Sequence, residues 1–275
     1  MQAKYKDSIV TDTTAAETLS TASQAATKNP PKKRHGARNQ HRHRDFAKWL
    51  QAYFPESFRQ SSCVANYSKD DANKIHILDV AGGKGELSAR LSMCLLQRVV
   101  MIDPRPADVE NCFENLVLPK IPNKWQKRLE IQRVENPNIV REKLDERFRQ
   151  LVMNFDDSTL RSSPEVKDAV RNASLLIGLH SDGATEAIVD AALAFQKPFI
   201  VVPCCVFPSF FPNRRVVMKK GEDSIPVRTH DHFCKFLLDK HPDFRMETLP
   251  FEGRNIAICW DGGAKRSKQE EQGNG

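Results

Sequence analysis

Short apolar segments alternate with longer amphipathic ones along most of this chain, and this order constrains the fold more than any other feature. Five segments have the length and apolar content of buried strands: residues 75–80, 98–103, 128–134, 173–179 and 198–203. Helical patterns lie between them, and strands that alternate with helices form a mostly parallel sheet covered on both faces. The sequence therefore predicts an α/β fold whose ligands bind at the carboxyl ends of the strands.

The helices are predicted from apolar residues that recur every three or four positions. An N-terminal amphipathic helix carries Phe46, Trp49, Leu50 and Tyr53 and ends before Pro55. Further helices are predicted at 86–96, 107–117, 138–155, 183–196 and 229–240. The last patterned stretch, FRMETLPFEGRNIAICW, consists of two alternating runs around a turn and predicts an antiparallel strand pair. We find no internal repeat.

The charge distribution separates a basic arm from a neutral body. Residues 1–44 carry nine Lys or Arg and three Asp or Glu, and so account for +6 of the net charge of +7. Because the arm has few large apolar residues, we predict that 1–44 is disordered, that 45–264 forms one domain, and that 265–275 is a disordered tail. The stretch PPKKRHGARNQHRHR has the composition of a nuclear-localisation signal, an RNA-contacting segment or a solvated linker.

Cysteine usage indicates an intracellular protein. The seven cysteines, an odd number, show no CxxC spacing, and the chain has no signal-peptide pattern. No segment approaches the ~20 apolar residues that a membrane helix needs. We therefore predict reduced thiols, a nuclear or cytoplasmic location and no membrane partner. The sequence leaves the oligomeric state and a possible partner subunit open.

The stretch HILDVAGGKGELSARLS places three glycines in four positions just after Asp79. Glycine permits positive φ and lets a ligand approach the backbone, and the helix that follows offers unpaired N–H groups. A nucleoside-triphosphate loop would need Ser or Thr after Lys84. A dinucleotide fingerprint would need a glycine near Ser88 and no carboxylate facing the pyrophosphate. S-adenosylmethionine carries a sulfonium and an ammonium, which favour a nearby carboxylate.

A second acid, Asp103, ends the next predicted strand, 18 residues after Gly85. An acid at this place is suited to bind both ribose hydroxyls of a nucleoside. Two acids at the tips of successive strands around a glycine loop favour S-adenosylmethionine over an ordinary turn with two helix caps.

At this point the sequence resembles a known family. ILDVAGGKGE followed by VVMIDPRP is similar to the first two motifs of class I S-adenosylmethionine-dependent methyltransferases, with Ala81 in the first glycine place. The resemblance implies a Rossmann-like domain with a mostly parallel seven-stranded sheet, an antiparallel C-terminal strand pair and helices on both faces. It also implies that Asp79, Gly83 and Gly85 line the methionine end of the cofactor and that Asp103 holds the ribose.

Four further residues belong to the predicted cofactor site, two in the glycine loop and two candidate acids further along the chain. Gly82 and Ala81 belong to the same loop, and an acid of NFDD, Asp156 or Asp157, is predicted to reach the adenine.

The segments after the fourth and fifth strands, GLHSDGATE and VVPCCVFPSFFPNRR, resemble a subset of that family which includes tRNA 2′-O-methyltransferases and related methyltransferase-like proteins. The shared features are a Leu-His stretch before a turn of small residues and a Cys-Cys pair. Val206 stands where an aromatic residue or histidine often follows the pair. The resemblance implies an RNA acceptor near these strand tips.

His180 has three interpretations. As a general base it would take a hydroxyl proton during methyl transfer, for which its reference pKa of about 6.5 is suited. It would otherwise contact the cofactor, or simply pack and orient the loop. Asp182 is predicted either to cap the next helix or to contact substrate or cofactor.

Cys204 and Cys205 have competing interpretations too. A thiolate there would attack a pyrimidine ring, whereas buried cysteines are small apolar fillers, and consecutive strand residues point to opposite faces. A zinc site has the wrong ligand spacing for a structural site, and we predict no metal. Its conceivable ligands are Cys204, Cys205, His230, His232 and Cys234.

The stretch FPSFFPNRR combines three aromatic residues with Arg214 and Arg215. Phe207, Phe210 and Phe211 beside these arginines suit a flipped base or an RNA backbone, or a lid over any site. We therefore predict an RNA partner and an RNA methyltransferase. The alternatives are a protein or small-molecule methyltransferase on the same fold, and a non-catalytic module that binds the cofactor or recruits partners.

Overall fold

The computed structural model describes residues 41–62 and 75–263. Residues 1–40 of the predicted arm and the predicted tail at 265–275 lie outside the described residues. Arg42–Tyr53 forms a helix, so residues 42–44 belong to the domain and the predicted boundary at residue 45 was placed three residues too late. Within the described ranges, no helix is both long and apolar enough to cross a membrane.

Nine strands occur in the described residues. In chain order they are β1 His76–Val80, β2 Val99–Ile102, β3 Phe148–Leu151, β4 Ala173–Leu179, β5 Phe199–Val202, β6 Arg215–Val216, β7 Ile225–Pro226, β8 Arg245–Thr248 and β9 Ile256–Trp260.

The α-helices of the described residues surround these strands. They are α1 Arg42–Tyr53, α2 Pro55–Ser62, α3 Glu86–Cys94, α4 Val109–Cys112, α5 Asn123–Glu135, α6 Ile139–Arg147, α7 Asp157–Ser162, α8 Pro164–Arg171, α9 Thr185–Phe195 and α10 His230–Leu238. Two short turns, the π-helical Phe113–Val117 and the 3-10 Leu118–Lys120, continue α4, and a 3-10 turn at Asp182–Ala184 precedes α9.

Seven strands form one sheet in the order β3-β2-β1-β4-β5-β9-β8. The five strands from β3 to β5 in this order pair in parallel, and β9 and β8 pair antiparallel at one edge. This confirms the predicted sheet and its antiparallel C-terminal pair. The chain moves outward from β1 to β3 and then returns to place β4 on the other side of β1. Ligands are therefore expected at the carboxyl ends of β1 and β4, where the strand order reverses.

Apolar residues cover both faces of the sheet. On one face, Ile77 and Ile177 pack with α1, α2 and α3, through residues such as Phe46 and Leu91. On the other face, alternate strand residues such as Leu78 pack with α8, α9 and α10. Burial of each large apolar side chain contributes about 1.5–3 kcal/mol, so both helical layers stabilise the sheet.

Two predicted elements between β2 and β4 are wrong. Residues 128–134, predicted as a strand, lie within α5, where Leu129 is the buried residue. Residues 138–155, predicted as one helix, form α6 and then β3, because Phe148–Leu151 pairs in parallel with Val99–Ile102. α5 and α6 pack instead against α3 and the π-helical turn in a separate small cluster.

Candidate cofactor and acceptor site

The glycine loop turns the chain from β1 into α3 through left-handed backbone conformations. Ala81, Gly83 and Gly85 have φ values of 57°, 61° and 81°, and Gly85 is the residue that caps α3. A positive φ costs alanine roughly 1–2 kcal/mol. The Ala81 N–H donates to the carbonyl of Ile102 at 2.7 Å, which fixes this turn against the end of β2.

Gly82 needs the absence of a side chain for a different reason. A Cβ at this position would lie 2.5 Å from Met101 Sδ and 2.9 Å from the Asp79 carboxylate. Gly82→Ala is therefore expected to lower the free energy of unfolding by about 1–3 kcal/mol, measured by urea denaturation. Gly83→Ala is the matched control, because a Cβ there meets no atom within 4 Å and introduces only backbone strain. The loss in Gly83→Ala measures what backbone strain alone costs, about 1–2 kcal/mol, and an unchanged stability in Gly82→Ala would contradict the steric explanation.

Asp79 is a buried carboxylate at the end of β1. Its oxygen accepts a hydrogen bond of 2.6 Å from Ser88 Oγ. The pKa of Asp79 is raised to about 7, chiefly by burial and also by the nearby charge of Asp103, while the Ser88 hydrogen bond opposes the rise. No Lys, Arg or His of the described ranges forms an ion pair with it. The pocket therefore holds a carboxylate without a cation.

Asp103 is equally buried but has several donors. Its two oxygens accept from the Gly83 N–H at 2.9 Å, the Arg105 N–H at 2.9 Å and Arg105 Nε at 3.1 Å. Burial on its own would raise the pKa of Asp103, but the hydrogen bonds from Arg105 and Gly83 outweigh it and the pKa is lowered. Asp103 is thus a fixed negative charge beside the glycine loop.

Two residues that the sequence reasoning missed organise the loop after β2. The Arg105 side chain is 76% exposed and lies across the Asp103 carboxylate. Gln150, on the edge strand β3, donates to the Arg105 carbonyl at 2.8 Å and accepts from the Ala107 N–H at 3.0 Å. The sequence offered no signal for Gln150, because β3 is short and only one of its four residues is buried, so the segment was predicted as part of a helix.

An open cleft of about 590 Å³ lies beside these two loops and is lined by Gly83, Arg105 and Asp108, among others. This volume is suited to a small-molecule ligand. A cavity of similar size, about 580 Å³, lies at the opposite, amino ends of the strands, with Arg98 and Glu165 among its lining residues. Size does not distinguish the two, but only the first is lined by the loops after β1 and β2, through Gly83 and Arg105, both of which donate hydrogen bonds to Asp103.

The acids predicted at the adenine lie at the start of α7. Asp156 caps this helix by accepting from the Thr159 N–H at 2.8 Å, and hydrogen bonds from Ser158 and Thr159 lower its pKa. Asp157 is exposed and pairs with Arg161 one turn further along. These contacts give Asp156 a structural role, and the adenine contact stays a prediction for both residues.

His180 follows β4 in a left-handed conformation, with φ of 57°. Its Nδ1 is buried and has no hydrogen-bond partner among the described residues. Burial, followed by the neighbouring Arg42 and His43, lowers the pKa of His180 to about 4, and Asp182 opposes this shift. The basic start of α1 therefore lies close to His180, and His43 also contacts Glu86 of α3 at 3.1 Å. His180 is neutral at pH 7.

Asp182 does not cap α9 as one interpretation predicted. The residue that precedes α9 is Ala184, and the Asp182 carboxylate accepts instead from Cys204 Sγ at 3.0 Å. Burial, followed by hydrogen bonds with Asp182 and Cys205, raises the pKa of Cys204 to about 12. Cys204 is therefore a thiol at neutral pH, which argues against its predicted role as a nucleophile.

The expectation that Cys204 and Cys205 point to opposite faces is wrong. β5 ends at Val202, so both cysteines lie in the loop and strand alternation does not apply. Their sulfur atoms and an Asp182 carboxylate oxygen all lie within 4.8 Å of one another.

The conceivable five-residue zinc set does not assemble. His230 uses Nε2 on the Pro203 carbonyl at 3.0 Å, and Cys234 Sγ lies 3.7 Å from that ring nitrogen. Among the described residues, His230, His232 and Cys234 do not lie close enough to Cys204 and Cys205 to bind the same metal ion.

Arg214 has a structural role in place of the predicted substrate contact. It is buried, its Nε donates to Glu186 at 2.6 Å, and its Nη1 donates to the Val206 carbonyl at 3.1 Å. The guanidinium lies 3.6 Å from the centroid of the Phe211 ring and 4.7 Å from that of Phe233. The N–H groups of the Arg214 guanidinium therefore do not face solvent, and the Phe211 ring packs against this guanidinium.

The remaining residues of this loop are more accessible. Phe210 is 79% exposed and packs edge-on against Phe207, with ring centroids 6.1 Å apart. Phe207 itself has a positive φ of 49°. Arg215 is exposed and donates to Ser224 Oγ at 2.9 Å within the small β6–β7 hairpin. Their predicted contact with a substrate stays a prediction.

Comparison with known proteins gives a weak likeness to methyltransferases. No protein-family model and no curated protein matches the chain. Among solved structures, the methyltransferase domain of a bacterial Hen1 (CtHen1-CN) is 12% identical, with 81% of this chain and 98% of that one covered and a TM-score of 0.42. The plantazolicin methyltransferase BpumL, in complex with SAH, is 13% identical, with coverages of 84% and 89% and a TM-score of 0.35.

A human protein shows the same level of likeness. Human N-acetylserotonin methyltransferase, in complex with SAM, is 13% identical, with coverages of 84% and 59% and a TM-score of 0.32. Identities and TM-scores this low carry no weight for function, which is inferred below from the residues of this chain.

Proposed function

We propose that this protein is an S-adenosylmethionine-dependent methyltransferase. The single observation that carries the proposal is Asp79, a buried carboxylate whose pocket contains a hydrogen-bond donor, Ser88, but no ion-pair partner in the described part of the chain. A buried charge is stabilised only when an opposite charge accompanies it. A ligand with an ammonium or sulfonium group supplies that charge.

The second acid narrows the ligand class. Asp103 is ionised and lies beside the Gly83 N–H that a phosphate would otherwise approach. Two carboxylates repel a pyrophosphate or triphosphate, whereas Asp103 is suited to accept hydrogen bonds from two ribose hydroxyls. A cationic nucleoside fits both acids, and S-adenosylmethionine is such a molecule.

We propose RNA as the acceptor. The support is the basic start of α1 close to His180, the exposed aromatic ring of Phe210 and the exposed cation of Arg215. Aromatic rings and arginines together suit unstacked bases and the phosphate backbone. A protein or small-molecule acceptor on the same fold is the alternative, and the nature of the labelled product distinguishes them.

The chain has a limited chemical task in this reaction. The cofactor supplies an activated methyl group on its sulfonium. The protein holds the acceptor in line with that group and excludes water, which is where most of the rate enhancement arises. His180 is neutral, but its Nδ1 is buried and an imidazole with a pKa of about 4 is a weak base. The rate enhancement from general-base catalysis by His180 is therefore expected at the low end of the usual 10²–10⁴-fold range.

Calorimetric titration with S-adenosylhomocysteine tests the cofactor assignment. We expect one binding event per chain, and none with ATP or NAD at the same concentrations. Tight binding of either nucleotide, with no binding of S-adenosylhomocysteine, would overturn the proposal. Cofactor binding without methyl transfer to any acceptor would favour the non-catalytic module.

Arg105 is expected to compete with the cofactor. Its guanidinium donates to both Asp103 oxygens, which the ribose hydroxyls also need. Because this ion pair is exposed and screened by solvent, Arg105→Ala should tighten S-adenosylhomocysteine binding only modestly, up to about fivefold. Added salt should tighten binding to the wild type, because it weakens this pair, and leave Arg105→Ala nearly unchanged.

The matched control for this variant is Arg171→Ala, which removes another exposed arginine paired with an aspartate, Asp168. Titration at two salt concentrations gives the comparison. Weaker binding by Arg105→Ala would show that Arg105 contacts the ligand and does not compete with it.

A further inference from the structure

Asp182, Cys204 and Cys205 form a cluster that the proposed methyl transfer does not use. Its residues come from the loops after β4 and β5, which leave the sheet side by side because Leu179 pairs with Val202. Their three potential ligand atoms lie within 4.8 Å of one another, and Cys204 Sγ lies 3.0 Å from Asp182 Oδ1. The cluster is half-buried, with Asp182 on its solvent side.

The donor set is that of a zinc site. Thiolates and carboxylates bind Zn²⁺ with Zn–S bonds of about 2.3 Å and Zn–O bonds of about 2.0–2.2 Å. In a tetrahedron these lengths place two sulfurs about 3.8 Å apart and a sulfur and an oxygen about 3.6 Å apart. Because the three atoms lie within 4.8 Å of one another, no pair needs to close by more than about 1.2 Å, and the Cys204–Asp182 pair at 3.0 Å needs to open by about 0.6 Å. The loops that carry the ligands follow β4 and β5, two paired parallel strands of the sheet. We therefore expect the loops to move and the strands to stay in place.

We propose that Asp182, Cys204 and Cys205 bind one Zn²⁺ ion with three protein ligands and an open fourth position. Zinc sites with three protein ligands and an open position are typical of catalysis, whereas structural sites have four. The spacing argument against zinc in the sequence concerned a four-ligand structural site, so it does not apply to this one.

The open position would give the ion a function if the acceptor binds beside the loops after β4 and β5. Zn²⁺ polarises a bound oxygen and lowers the pKa of a hydroxyl that it coordinates. An acceptor hydroxyl bound there would lose its proton to solvent more easily than with His180 alone. This use of the ion rests on the proposed methyl transfer, but the binding of the ion does not.

The test is metal binding by the full-length, reduced and dialysed protein with Zn²⁺ alone as the probe. We expect one ion per chain, measured by competition with a chromophoric chelator, and release of protons from the thiol ligands on binding. Asp182→Asn, Cys204→Ser and Cys205→Ser should each weaken binding at least ~100-fold, because even outer partners of metal ligands are worth 10–100-fold. Cys94→Ser, a half-buried cysteine on α3, is the matched control and should bind like the wild type.

Loading the protein with Co²⁺ in place of Zn²⁺ gives a second measurement, which reports on the ligand atoms and so distinguishes a lost ligand from a folding defect. The sulfur-to-cobalt absorption band should fall to about half in Cys204→Ser and Cys205→Ser at saturating metal, and stay in Asp182→Asn. Less than one ion per wild-type chain, or equal affinity in Cys204→Ser and wild type, would overturn the proposal. S-adenosylhomocysteine binding measured on the same samples separates a failure of the zinc site from a failure of the cofactor assignment.

Discussion

Asp79→Asn is expected to weaken S-adenosylhomocysteine binding by at least ~100-fold, the largest effect of any substitution in the cofactor site. The asparagine keeps the size of the side chain but cannot balance the ammonium of the ligand. Removing one partner of a buried ion pair costs about 3–5 kcal/mol, and about 1.4 kcal/mol corresponds to tenfold in affinity. Titration calorimetry measures the change directly.

The pH dependence of binding gives the same prediction an independent test. The pKa of Asp79 is raised to about 7 by burial, so the carboxyl is mostly protonated at pH 5 in the free protein. A cationic ligand needs the ionised form, so the affinity should rise by nearly tenfold per pH unit between pH 5 and pH 7. Asp79→Asn should show no such slope. A flat profile in the wild type would contradict the assignment of the ammonium to Asp79.

The free energy of unfolding of the ligand-free protein should fall as the pH rises, whereas the affinity for the ligand should increase. A carboxyl whose pKa is higher in the folded than in the unfolded chain loses stability as the pH rises above its ordinary value of 3.8 towards about 7. Asp79→Asn removes this loss, so the variant should be more stable than the wild type at pH 8, by a few kcal/mol at most, and not at pH 4. Thermal unfolding at the two pH values checks the sign.

Arg214→Ala is expected to lower the free energy of unfolding by about 2–3 kcal/mol. Removing one partner of a buried ion pair costs about 3–5 kcal/mol, but Glu186 keeps its bond of 2.9 Å to Lys240, which reduces the loss. The variant also leaves the Val206 carbonyl without its donor and removes the guanidinium from between the Phe211 and Phe233 rings. Urea denaturation measures the effect.

Two further variants make this prediction specific. Arg214→Lys keeps the charge but not both hydrogen bonds, so it should recover only part of the stability. Arg215→Ala removes the exposed neighbour and should change stability by less than about 0.5 kcal/mol. An unchanged stability in Arg214→Ala, together with weaker binding of RNA, would restore the substrate contact that the sequence suggested.

The sheet was predictable because its central strands are nearly continuous apolar runs. β4 is buried along almost its whole length, and such runs bounded by turns are the clearest strand signal. The wrong elements lie at the periphery, where the signal is weak. In α5, Ile131 and Val134 are 66% and 86% exposed, so the apolar spacing that suggested a strand does not reflect burial. In the edge strand β3, only Leu151 is buried.

In the candidate site, features set by nearby sequence were predictable, whereas features that depend on contacts between distant parts of the chain were not. The positions of Asp79, Asp103 and the glycine loop were predictable because the two acids end or follow consecutive apolar strands, and these strands pair in parallel. Arg214 was not, because the burial of an arginine depends on Glu186, which lies 28 residues earlier in the chain. The joint orientation of Cys204 and Cys205 depends on where β5 ends, at Val202, which hydropathy alone does not locate.

The central claim, that the chain transfers a methyl group to RNA, is tested by one assay with labelled S-adenosylmethionine. Total cellular RNA and soluble protein are offered separately as acceptors, with Asp79→Asn as the inactive variant and Arg171→Ala as the folded control. We expect label in the RNA fraction with wild type and Arg171→Ala, and at least ~100-fold less with Asp79→Asn. Label in protein alone would contradict the RNA assignment, and no label in any acceptor, despite cofactor binding, would contradict the enzyme.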